Sequence, residues 1–224
     1  MAHSLSVPPS TTSRVLGLAG VLGGAILLWP AFLPGLVPFE LSPDFFNLRL
    51  VVFNAGAIAI IVGVYRRQAP VAPVQTLVAA VPAFLANAWY LALITRLVSQ
   101  PGQLGRGDYG PLIFAAAVAL WLTDAWFGVV TLRLGLATRW GALALAIGSV
   151  LAITGIDRLG LTSEANPTIF GPLALVGIAL NGTGWILLGL DIATGRRPTE
   201  AQPHPEPFED CVVDEVGRRP GRRA

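Results

Sequence analysis

Residues Pro111 to Leu132 read PLIFAAAVALWLTDAWFGVVTL. One charge, Asp124, interrupts an otherwise apolar run of alanine, leucine, valine and aromatic side chains. About 20 apolar residues in a helix cross the bilayer hydrocarbon, and a helix pairs its own backbone polar groups where no water can do so. This stretch is therefore predicted to be a membrane span with an ionisable group near its middle.

Five more stretches of the same kind flank it. They run approximately from Arg14 to Phe32, Leu48 to Tyr65, Pro73 to Ile94, Trp140 to Ile156 and Pro167 to Ile192. With 54% hydrophobic and 12% charged residues in 224, the chain lies outside the balance of a water-soluble domain. The fold expected is an all-α polytopic transmembrane bundle of about six spans. A short polar N-terminus (1–13) precedes a helical domain (14–195), and a disordered tail (196–224) follows it.

Proline marks several of the entries: Pro43 in Ser42-Pro43-Asp44, Pro73, Pro111 and Pro167. Its missing N–H costs nothing in a first helical turn. Between the first two spans, Trp29-Pro30 through Phe45-Phe46 is apolar but broken by prolines. That pattern fits a kinked helix end among the headgroups, with aromatics in an interfacial belt. The first span carries no small-residue cleavage pattern after its long apolar run and is expected to be retained.

Arginine sets the orientation, and no lysine is present. Arg14, Arg66, Arg67, Arg133, Arg139, Arg196 and Arg197 fall on one side, and Arg49, Arg96, Arg106 and Arg158 on the other. The richer side is expected to be cytoplasmic, which places both termini inside and points to a plasma membrane, bacterial in character. An all-arginine basic complement is also what GC-rich codon usage produces.

After Arg197 the composition turns to proline and charge, and such a segment cannot bury enough apolar surface to fold alone. Its end, Arg218-Arg219-Pro220-Gly221-Arg222-Arg223, suits the anionic headgroups of an inner leaflet. A solvated tail is the simpler expectation. The net charge of +2 leaves no basic face for nucleic acid.

Asp124 is the candidate for chemistry. A carboxylate inside a bilayer must face the bundle interior and there pair, meet water or carry a proton. As a proton or ligand site it would be joined by Asn87 and Tyr90 in the third span, since Pro82 frees a carbonyl one turn earlier. Asn54 and Asn181 add an amide in the second and sixth spans. The competing expectation for all of these side chains is polar contact between helices. On the face of Asp124, helical spacing places Ala117, Leu120, Trp121, Phe127, Gly128 and Thr131. Gly20-x-x-x-Gly24 and Ala144-x-x-x-Gly148 predict close helix approach.

The histidines, His3 and His204, lie outside the spans, and the single cysteine, Cys211, lies in the tail. Haem ligation within the membrane, HExxH zinc chemistry and a disulfide are therefore not expected. Ser149 has no histidine to serve as its base, and one deep carboxylate is too few for acid–base work or for Mg²⁺. No cofactor, metal or catalytic residue is expected. The sequence favours a non-enzymatic accessory or regulatory component of a membrane complex, with lipid and another membrane protein as partners. The alternative is a small transporter or proton-coupled carrier using Asp124.

Overall fold

The computed structural model describes residues 10–32, 43–99, 110–154 and 172–195. Among these residues the chain is entirely helical: α1 (Thr11–Phe32), α2 (Pro43–Gln68), α3 (Pro73–Ser99), α4 (Gly110–Leu134), α5 (Arg139–Ile153) and α6 (Pro172–Thr194). Five of the six are long and apolar enough to cross a membrane. The exception is α5, where an ordinary span was expected. Its 15 residues reach about 22 Å, short of the roughly 30 Å of hydrocarbon. The tail and residues 155–171, where the fifth span was expected to end and the sixth to begin, lie outside the described residues.

Each helix packs against its neighbour in the chain, and α6 packs against α1, so the six close into a ring. Side chains from α1 to α6 meet in one interior cluster, including Leu27, Phe53, Ile60, Phe127, Leu145 and Trp185. A second cluster, Ala86, Tyr90, Ile94, Ala116, Ala117 and Leu120, fills the seam between α3 and α4. Large apolar side chains such as Leu22, Leu77, Leu85, Trp89 and Leu122 point outward, where lipid would cover them.

Lipid tails are as apolar as leucine, so helices in a bilayer associate through close contact, and glycine permits it. The two glycines of Gly20-x-x-x-Gly24 do not serve one partner. Gly20 packs on Ile60 of α2, whereas Gly24 packs on Gly182 of α6. The continuous seams have a spacing of seven. Gly17 and Gly24 of α1 meet Gly189 and Gly182 of α6 in antiparallel order, and Gly177 and Gly184 of the same helix meet α5. α6 thus carries two glycine faces and is clamped between α1 and α5.

The two described turns, 69–72 and 135–138, are short. α1 opens on Ser10, whose hydroxyl accepts the Ser13 N–H at 3.2 Å, as an N-cap should. Gly135 ends α4 and Gly195 ends α6, both at φ +64°, a left-handed stop that glycine adopts without cost. Asp191 of α6 then fastens this end. Its carboxylate accepts the Thr138 N–H at the start of α5 (3.1 Å) and pairs with Arg67 of α2 (3.1 Å).

Candidate functional site

Each helix from α2 to α6 places at least one polar side chain in the interior. Asn54 of α2, Asn87 of α3, Asp124 of α4, Ser149 of α5 and Asn181 of α6 all have no exposed surface. Counted along their helices, they lie about 15 to 21 Å from the end of the bundle where Gln68, Pro73, Leu134, Arg139 and Thr194 stand. They form a layer near the middle of the bundle's length.

Two cross-helix bonds hold this layer. Asn87 Nδ2 donates to Asp124 Oδ1 at 2.9 Å, joining α3 to α4, and also to its own helix at Ala83 O, 2.8 Å away. Asn181 Nδ2 donates to Ser149 Oγ at 2.9 Å, joining α6 to α5. The Ser149 hydroxyl in turn donates to Leu145 O at 2.7 Å.

One turn from both pairs lies an aromatic stack, Phe127 on Trp185, with ring centroids 6.1 Å apart and planes 21° from parallel. Phe127 is one turn along α4 from Asp124, and Trp185 is one turn along α6 from Asn181. α4 and α6 contact one another through the stack, each with its polar residue on the same side of it.

Of the residues expected at a site, Asn87 and Asp124 are brought together. Tyr90 is not. It is buried one turn further along α3 in the apolar seam, and no hydrogen bond joins it to Asn87 or Asp124. Asn54 does not bond across helices as an interior amide was expected to; its Nδ2 turns back to Leu50 O of α2 at 2.7 Å. Ala117, Leu120, Phe127 and Thr131, expected on the face of Asp124, are buried, and Gly128 packs against Ala142 and Ala146 of α5.

Two groups were not singled out by sequence. Ser149 drew attention only as a nucleophile without a base, and here it is the partner of Asn181. Asp191 sat at the end of an apolar run, where a carboxylate is unremarkable, and it ties together three elements. Arg49, read as belonging to the far side, lies within α2 and is only 4% exposed.

Four enclosed oxygens, Asn54 Oδ1, Asn87 Oδ1, Asp124 Oδ2 and Asn181 Oδ1, meet no hydrogen-bond donor among the described residues. Trp185 Nε1 meets no acceptor there. No three or more of His, Cys, Asp and Glu converge among the described residues.

Comparison with protein families, characterised proteins and solved structures gives no match. The layer is rich in acceptors and poor in donors, and its one carboxyl group is enclosed. That chemistry suits helix association and the holding of a proton.

Proposed function

We propose that this chain is a non-enzymatic component of a membrane complex, accessory or regulatory, with both termini cytoplasmic and the plasma membrane as its site. Its membrane character rests on the five long apolar helices. One observation carries the rest. Asp124, the group a carrier or enzyme would have to present to substrate, has no exposed surface and is tied to Asn87 on the next helix. A carboxyl group placed that way serves the bundle. The outward apolar faces are then the surfaces available to lipid and to another membrane protein.

A carrier built on Asp124 is the second reading, and the unpartnered oxygens of the layer favour it. Mild extraction from native membranes, followed by mass measurement of the intact assembly, separates the two. The component reading expects a second polypeptide at fixed stoichiometry and no proton or solute flux from the purified chain in vesicles. An assembly made of this chain alone, together with flux abolished by Asp124→Asn, would overturn it in favour of the carrier.

A further inference from the structure

The hydrogen-bond inventory of the Asn87–Asp124 pair is one hydrogen short. The Ala83 carbonyl can only accept, so the amide nitrogen of Asn87 is the atom facing it. Both amide hydrogens are thereby used, one on Ala83 O and one on Asp124 Oδ1. Asn87 Oδ1 and Asp124 Oδ2 remain, one from each member of the bonded pair. Both are enclosed, and neither has a donor among the described residues.

We propose that Asp124 is a proton-binding site at mid-membrane depth, with the proton on Oδ2 and donated to Asn87 Oδ1. The amide donates to one carboxyl oxygen and the acid donates back from the other, so the two groups close an acid–amide ring. One proton, taken from water and bound by the carboxylate, satisfies both remaining oxygens and leaves the pair neutral. Neutrality is what hydrocarbon demands of a carboxyl group with a single hydrogen-bond donor.

The surroundings agree. Among the described residues, the inward-facing ionisable groups on neighbouring helices are Arg49 of α2, Tyr90 of α3 and the Arg67–Asp191 pair of α2 and α6. The arginines and Asp191 lie toward helix ends, and Tyr90 offers no positive charge. On α5 the buried polar group is Ser149, already engaged with Leu145 and Asn181. Among the described residues, no cation stands beside Asp124 to favour its ionised form. The assignment goes beyond the component reading and is independent of any partner.

Infrared spectroscopy of the full chain in lipid nanodiscs at neutral pH tests it. The wild type is expected to show a hydrogen-bonded C=O absorption of a protonated carboxyl group. Asp124→Asn should remove that band, and Asn87→Leu should move it to higher frequency by deleting its partner. Its absence from the wild type, where solvent-exposed acids are ionised, overturns the proposal even if neither variant inserts. So does a band that survives Asp124→Asn or is unmoved by Asn87→Leu.

Discussion

Asn87 on α3 holds the carboxyl group of Asp124 on α4 at 2.9 Å, and neither residue has any exposed surface. A polar bond sealed inside an apolar ring is a constraint on which helices may neighbour one another, because breaking it strands both groups in hydrocarbon.

The two residues should therefore be energetically coupled. A double-mutant cycle with Asn87→Leu and Asp124→Leu, read by unfolding in mixed micelles, is expected to give a coupling of about 1 kcal/mol, the usual scale for bonds between membrane helices. Additive effects would mean that the bond contributes nothing. Asp124→Asn should be the mildest change at this position, because its amide supplies a donor where the acid does.

The second pair makes a parallel case. Ser149→Ala removes the acceptor of the Asn181 amide and leaves one enclosed amide hydrogen without its cross-helix partner. We expect a loss of about 0.5–1.5 kcal/mol. In an Asn181→Leu background the same substitution should cost clearly less, which unfolding midpoints will reveal.

Glycines of the same residue type should differ in a predictable order. At Gly177 an added methyl meets the backbone of Leu151 and Ala152, so Gly177→Ala must push α5 and α6 apart. At Gly135 nothing lies within 4 Å, and only the left-handed backbone resists, at about 1–2 kcal/mol. Thermal unfolding should rank Gly177→Ala well below Gly135→Ala, and Gly135→Asn close to wild type.

Asp191 combines two roles that different variants separate. Asp191→Asn keeps an oxygen for the Thr138 N–H and loses the ion pair with Arg67, whereas Asp191→Ala loses both. Hydrogen exchange in the first turn of α5 should accelerate strongly in the alanine variant and only slightly in the asparagine variant. Arg67→Ala, which spares the cap, should resemble the latter.

The spans were legible in the sequence because length and hydropathy are properties of each segment alone. Which residues meet across helices depends on rotation about each axis, and that is where sequence reading thinned out. Asp124 and Asn87 were recoverable as rare polar groups in apolar runs, but Tyr90 shares the inner side of α3 with Asn87 while facing a different level of the seam. Gly20 and Gly24 look like a single motif until α1 is seen to lie between α2 and α6, each taking one glycine. Ser149 and Asp191 were passed over for a similar reason: their weight comes from Asn181, Thr138 and Arg67, distant in sequence. The shortness of α5 was hidden by continuous apolar composition through Ile156.

Asp124, with no exposed surface, is expected to be sealed from water on both sides. Replacing Cys211 with Ser and Asp124 with Cys gives a chain with one thiol at that depth, and a small membrane-impermeant thiol reagent can be applied to right-side-out and inverted vesicles. Protection from both sides is expected in protein that inserts and folds, with labelling only after denaturation. Labelling from either side of the folded protein would contradict this, because an aqueous path would then reach the middle of α4.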